Sequence, residues 1–166
     1  MSPKKLLRFK DACSNIEEFD EGLRFRRIIQ DQNKDLVGAE KVRKILLCSG
    51  EVYYELDSHR NKIKKNDVAI VRVEQFCPFP FGMLKDEIAK FKNAQVMWVQ
   101  EEHKNAGGWA YVTPRINNIL QNIGRKDSVS YAGRNYSAAT ATGYHKQHEA
   151  ELQAFLEEAF AWQTSY

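Results

Sequence analysis

The run Gln100-Glu101-Glu102-His103-Lys104-Asn105-Ala106-Gly107-Gly108-Trp109 holds the densest chemistry in the chain. It follows an apolar segment, Ala94 to Val99, that reads as a buried strand, and it precedes a helical pattern. Two carboxylates, an amide and a glycine pair therefore stand where a strand hands over to a helix. In an open α/β sheet that edge is where ligands and partner surfaces dock. Glu101 and Glu102 could serve as general acid and base if burial raised one of the two pKa values. Adjacent residues at a strand end point in different directions, however. The stronger reading has one carboxylate bonding the start of the next helix and the other meeting a partner or an arginine.

Other groups fall on the same edge. Ser49-Gly50-Glu51 follows an earlier strand. Backbone N–H groups at a helix start hold anions, but Glu51 brings a negative charge, so Ser49 reads first as a helix cap. Arg72 and Arg134 end two further strands and could together bind a phosphate or carboxylate. The alternative is ion pairing with Glu74, Glu101 or Glu102. His145 and His148 are three apart, with no carboxylate at ligand spacing, which argues against a metal. His103 reads as a loop residue. No G-x-G-x-x-G, no G-x-x-x-x-G-K-[ST] and no G-x-S-x-G occurs, so the usual phosphate cradles and the nucleophile elbow are missing.

The elements that position these groups alternate. Lys44–Cys48, Val68–Val73, Gln95–Val99 and Ser128–Tyr131 read as strands. Helices are expected over 51–64, with Val52, Leu56 and Ile63 inward, then over 81–91, 108–122 and 143–161. Pro80 suits a helix start, and Pro114 should shorten or kink the first turn of the third helix. Residues 132–141 read as a small-residue loop. Residues 1–40 are polar with short apolar islands and read as an N-terminal arm and linker, 31–40 being an exposed loop. Residues 41–166 read as one α/β domain. Alternation of this kind predicts an α/β three-layer sandwich with a mostly parallel sheet of four to five strands.

At 166 residues the chain is long enough for one core. A net charge of +3, with basic and acidic residues interleaved, argues against nucleic acid. No apolar run approaches the ~20 residues that span a bilayer, so no membrane partner is expected. The N-terminus is basic but lacks the apolar core of a signal peptide, and early acidic residues argue against a transit peptide. Three widely separated cysteines without Cys-x-x-Cys argue against a disulfide framework or zinc site and for a reducing compartment.

Several segments, in order, resemble the thiamine-dependent 2-oxoglutarate dehydrogenase family. Met1-Ser2-Pro3-Lys4 through Leu6-Leu7-Arg8 is similar to its M-[ST]-P-K-x-L-L-R. Cys48-Ser49-Gly50 with Val52-Tyr53-Tyr54-Glu55-Leu56 resembles CSGKVYYDL. Asp67 to Arg72, Glu74-Gln75 and Pro78-Phe79-Pro80 resemble DVAIVRIEQLYPFP. Gln100, Glu101, Glu102, Asn105 and Gly107 stand in a QEE-x-x-N-x-G-x-W loop, and Tyr131-Ala132-Gly133-Arg134 in YAGR. The resemblance implies the transketolase C-terminal fold. It implies a parent enzyme that decarboxylates 2-oxoglutarate with thiamine diphosphate and magnesium and passes succinyl to a lipoyl group. The cofactor site and catalytic histidines of that parent lie upstream, so no cofactor and no catalytic residue is expected in this chain. Implied partners are the upstream domains, a homodimer partner and the dihydrolipoyl succinyltransferase complex. The implied location is the mitochondrial matrix, or alternatively the bacterial cytoplasm. Some relatives bind a nucleotide or acyl-CoA effector, which would fall to Ser49, Arg72 and Arg134 here. Three departures stand out: Glu51 for the family's lysine, Ala106 for glutamine or methionine, and Thr140 for proline. Met1 matches an internal methionine of the family. The resemblance thus implies a structural and dimerisation domain, as a fragment or separately encoded. The alternative is a freestanding module that docks to the complex or senses an effector.

Overall fold

A computed structural model describes residues 4–162; Met1, Ser2 and Pro3 of the first motif lie outside them. Five strands form one sheet in the order β1-β3-β2-β4-β5. They are β1 (Ile28–Ile29), β2 (Lys44–Cys48), β3 (Val68–Val73), β4 (Gln95–His103) and β5 (Ser130–Arg134). Only β1 is antiparallel; β2 runs parallel to β3 and β4, and β4 parallel to β5. The helices are α1 (Val52–Ile63), α2 (Phe81–Ala89), α3 (Trp109–Asn122) and α4 (His145–Phe160).

The sheet is covered on both faces, which is why its strands read as unbroken apolar runs. Every residue of β2 is buried. Ile45, Leu47, Val71 and Trp98 pack on one face with Leu84 and Ile88 of α2 and Val112, Ile116 and Leu120 of α3. Leu46, Ile70, Met97 and Val99 pack on the other with Val52 and Leu56 of α1 and Phe155, Leu156 and Phe160 of α4. The apolar helix positions recur at i, i+3 or i+4, so one stripe of each helix meets the sheet. The architecture is the α/β three-layer sandwich with a mostly parallel sheet that the alternation predicts.

The α1 stripe departs from expectation. Ile63 is exposed, and the buried third position after Val52 and Leu56 is Arg60. Its guanidinium pairs with Asp31, and the two side chains are 1% and 4% exposed. It also donates to the Val68 carbonyl at 3.1 Å and to Asp57 at 2.7 Å. Asp31 Oδ2 in turn accepts the Ile70 N–H of β3 at 2.7 Å. The carboxylate thus continues the β1–β3 pairing two residues beyond Ile29. The segment read as arm and exposed linker contributes a strand and a buried ion pair. Lys64, left-handed at φ 54°, ends α1.

Three further readings are corrected. Ser49 does not cap α1: the cap position is Glu51, and it makes no side-chain capping bond. β4 does not stop at Val99 but continues to His103. β5 begins at Ser130 and takes in Ala132, Gly133 and Arg134, which read as loop. Gly133 is present for close approach: a Cβ there would lie 2.7 Å from the Gln100 carbonyl oxygen of β4. α3 runs continuously from Trp109 to Asn122 with Pro114 inside it, and Thr113 Oγ1 donates to the Trp109 carbonyl at 2.6 Å and Arg115 Nη1 to that of Tyr111 at 2.7 Å.

Lys44 is fully buried and closes the end of α4. Its ammonium donates to the carbonyls of Ala159 (2.9 Å) and Ala161, two of the acceptors a helix end leaves without intrahelical partners. Burial lowers its pKa from 10.5 to about 8.

Two predictions follow from these buried charges. Asp31→Ala leaves Arg60 buried without its main counter-ion and should lower the unfolding free energy by about 3–5 kcal/mol in urea titrations. A loss below about 1 kcal/mol would show the pair to be dispensable. For Lys44, the folded chain has released a proton that the unfolded chain still holds between about pH 8 and 10.5. Its contribution to stability therefore rises with pH across that window. The stability difference between wild type and Lys44→Met should widen in favour of wild type from pH 8 to 10. An unchanged difference contradicts the assignment.

Candidate functional site at the C-terminal edge of the sheet

Gln100 organises the motif run. It is 3% exposed, inside β4, and every polar atom of its amide is used. Its Oε1 accepts the Trp98 indole N–H at 3.0 Å and the Trp109 backbone N–H at 2.9 Å. The second bond satisfies one of the N–H groups that the start of α3 leaves without an intrahelical partner. Its Nε2 donates to the carbonyls of Glu102 (3.3 Å), His103 (3.1 Å) and Ala106 (3.1 Å). One amide therefore holds the strand end, the turn and the helix start together. Gly107 is required for this: its φ is +57°, and a Cβ would sit 3.0 Å from Gln100 Nε2 and from Glu102 Oε2.

Asn105 extends the clasp to the next connection. Its Nδ2 donates to the Ser137 carbonyl at 2.8 Å, and its Oδ1 accepts the Ser137 N–H at 3.0 Å. His103 is the last residue of β4 rather than a loop residue, and it is 6% exposed. Its Nδ1 must carry the proton, because its partner at 2.9 Å is the Asn135 carbonyl oxygen. Lys104 spreads its ammonium over Tyr131, Tyr136 and Trp109, at 4.9–5.9 Å from the ring centroids. Burial raises the Tyr131 hydroxyl to about 12, so it stays protonated and donates to the Arg134 carbonyl.

The two arginines do not converge. Arg72 lies on β3 and Arg134 on β5, with β2 and β4 between them, about 14 Å at ordinary strand spacing. Arg72 Nε bonds Glu74 at 2.9 Å, and its guanidinium lies over the Tyr53 and Tyr54 rings at 4.6 and 5.6 Å. Arg134 is 7% exposed and fully engaged. It donates to the Glu101 carbonyl (2.8 Å), to Glu151 and to His148 Nδ1 (3.0 Å). The Thr142 hydroxyl first, then Gln147 and Arg134, pull the Glu151 pKa down to about 2. Ion pairing was the alternative reading of both arginines, and both do pair, though Arg134 pairs with Glu151 rather than with the side chains of Glu101 or Glu102.

Glu101 and Glu102 remain at the surface. Partial desolvation raises the Glu101 pKa, helped by the nearby charges of Glu51 and Glu102. Neither described groove is lined by these carboxylates. The motif residues form a structural clasp; Ser49, Arg72 and Arg134 lie on the same C-terminal edge, but two strands separate Arg72 from Arg134. The roles of Asp31, Lys44 and Gln100 were not foreseen. The available signals were a lysine heading an apolar run and an aspartate just after an isolated Ile-Ile.

Gln100→Glu tests the clasp. A carboxylate there would face three carbonyl oxygens, so its charged form is disfavoured in the folded state. The variant should lose about 3 kcal/mol at pH 7.5. It should recover part of that loss as pH falls and the new carboxyl protonates. Urea unfolding at pH 7.5 and 5 reads both, and a loss independent of pH would contradict the geometry.

The comparisons with known proteins agree with this frame. The family model for the 2-oxoglutarate dehydrogenase C-terminal region matches residues 13–160. The mitochondrial 2-oxoglutarate dehydrogenase of Caenorhabditis elegans is 41% identical over 160 residues, covering 96% of this chain and 15% of the relative. The 2-oxoglutarate dehydrogenase E1 component of Brucella anthropi is 42% identical over 167 residues, covering 96% of this chain and 17% of the relative. This chain therefore spans about a sixth of the length of the curated relatives it matches. The chain belongs to the 2-oxoglutarate dehydrogenase C-terminal family.

Proposed function

We propose that this chain is the C-terminal structural domain of a 2-oxoglutarate dehydrogenase. The whole polypeptide would decarboxylate 2-oxoglutarate with thiamine diphosphate and magnesium, then pass succinyl to the lipoyl group of a dihydrolipoyl succinyltransferase. Among the described residues, no three His, Cys, Asp or Glu side chains come together as a metal site would require. No chemical step is assigned to the residues of this chain. The role assigned to this domain is to brace the cofactor-binding domains and the homodimer. In a eukaryotic source this would be in the mitochondrial matrix, the worm relative being named mitochondrial, and in a bacterium in the cytoplasm.

The observation that carries this reading is the exposed apolar surface of the arm. Leu7, Ile16, Phe19, Leu23 and Phe25 are between 58% and 80% exposed. No residue from 4 to 27 is buried. Together these side chains present about 600–700 Å² of apolar surface, taking roughly 200 Å² for each large residue. A stable interface needs about 800 Å² per partner. A patch of this size on one segment marks an interaction surface. Its occupant, on this reading, is the upstream part of the same enzyme. The competing reading is a freestanding module that senses a nucleotide or acyl-CoA through Ser49, Arg72 and Arg134. It has less support, since Arg134 is fully engaged and stands apart from the other two.

The test is the solution behaviour of this chain by itself. It should self-associate and bind a hydrophobic dye. The triple variant Phe19→Ser, Leu23→Ser, Phe25→Ser should relieve both while keeping the fold by circular dichroism. It should show no turnover of 2-oxoglutarate with thiamine diphosphate and magnesium. A monodisperse, dye-negative wild-type chain would favour the freestanding module, and turnover would overthrow the structural reading.

A further inference from the structure

The arm is fixed at one end only. At its C-terminal end Ile28 and Ile29 pair with Val73 and Arg72 of β3, and Asp31 is buried against Arg60. Towards the N-terminus the chain turns at Asp20–Gly22, where Gly22 has φ +87° and open space around its Cα. It then returns across the end of β3 and the start of α1. Across the turn Glu18 pairs with Arg26, and farther out the described contacts are those of Lys5 and Phe9. Lys5 Nζ lies 2.5 Å from Glu55 and 3.4 Å from Glu51. The Phe9 ring meets Tyr54 edge-on, with centroids 5.1 Å apart. Tyr54 in turn lies beneath Arg72. Between the returning arm and the sheet is a groove of about 790 Å³, lined by Phe19, Leu23, Phe25, Ile29, Arg72 and Glu74 among others.

The Lys5 side chain is the bolt of this arrangement. It is 62% exposed, while Glu51 and Glu55 are only 16% and 30% exposed. The two carboxylates, with Glu101 nearby, form a negative site that the single Lys5 ammonium partly offsets. The Glu55 hydrogen bond raises the Lys5 pKa, and the Lys5 charge in turn lowers that of Glu101. Exposed ion pairs of this kind are weak and screened by salt.

We propose that residues 4–20 are a strap, hinged at Asp20–Gly22 and bolted by Lys5 between Glu51 and Glu55, that closes reversibly over the groove at the Arg72 end of β3. Closure is electrostatic, so rising salt opens it. Opening exposes Tyr54, Arg72 and Glu74 while β1 and Asp31 keep the arm attached. The Glu51 charge at the end of the sheet then has a purpose: it receives the chain's own lysine. The inference rests on the arm's contacts alone and is independent of the proposed decarboxylase.

Chymotrypsin tests it, because the Phe9 ring is packed on Tyr54 while Phe19 and Phe25 are exposed in the closed form. Cleavage after Phe9 should accelerate about fivefold in Lys5→Glu, the scale of reversing one exposed pair. It should accelerate similarly in wild type between 20 mM and 500 mM salt. Cleavage after Phe25, outside the strap, serves as the internal control. The charge swap Lys5→Glu with Glu51→Lys and Glu55→Lys should restore protection at Phe9. Thermal melts of each variant separate strap opening from general unfolding, since the core does not depend on Lys5. An unchanged Phe9 rate in Lys5→Glu, or failure of the swap to restore protection in a folded protein, would overturn the strap.

Discussion

One buried amide organises the end of this sheet. Gln100 sits in a central parallel strand, out of contact with water, where an unmatched polar group is costly. Each of its polar atoms is matched to a group that would otherwise lack a partner: an indole N–H, the first N–H of α3, and carbonyls of the turn after β4. Those partners are twisted around it within nine residues. The tight turn at Gly107, the entry of α3 and the placement of Asn105 all follow from satisfying that amide. Through Asn105 and Ser137 the constraint reaches the connection after β5, and through the Gln100 carbonyl it forbids a side chain at residue 133.

The same physical rule governs the other buried polar groups. Lys44 and Arg60 are charged side chains at positions where the pattern calls for apolar ones. Each is tolerated because it serves a chain end or an edge. Lys44 takes the carbonyls at the C-terminus of α4, and Arg60 holds the carboxylate that extends β3 pairing beyond β1. A two-residue edge strand could not by itself hold the arm to the sheet. The Asp31–Arg60 pair supplies the attachment, and it is buried where water does not screen it. The contacts farther along the arm are exposed and correspondingly weak, so the arm is firm at Ile28 and loose at Lys5.

This division accounts for how the charged groups at the end of the sheet are engaged. Glu101 and Glu102 alternate along an extended strand, so they cannot act on one reacting centre. Arg134 is held by a carboxylate, an imidazole and a carbonyl, which leaves it little capacity for an anion. The signature residues at this edge hold the strand end, the turn and the start of α3 together.

The sequence by itself determined the sandwich. Continuous apolar strands and helix stripes such as Leu152, Phe155, Leu156 and Phe160 depend only on local periodicity, and the ordered motifs pointed to the family. Element ends were less legible. β4 extends past Val99 because the polar Gln100 is satisfied internally. β5 includes Gly133 because glycine there answers to a neighbouring strand and not to a turn. What only the tertiary structure decided is the pairing of distant charges. Asp31 with Arg60, Lys44 with the end of α4, and Lys5 with Glu51 and Glu55 each join residues far apart in the chain. A lone charged residue in a sequence reads as solvated unless its partner is known, and partner choice depends on the three-dimensional path of the chain. For that reason the arm read as a linker, and Ile63 rather than Arg60 read as the inward residue of α1.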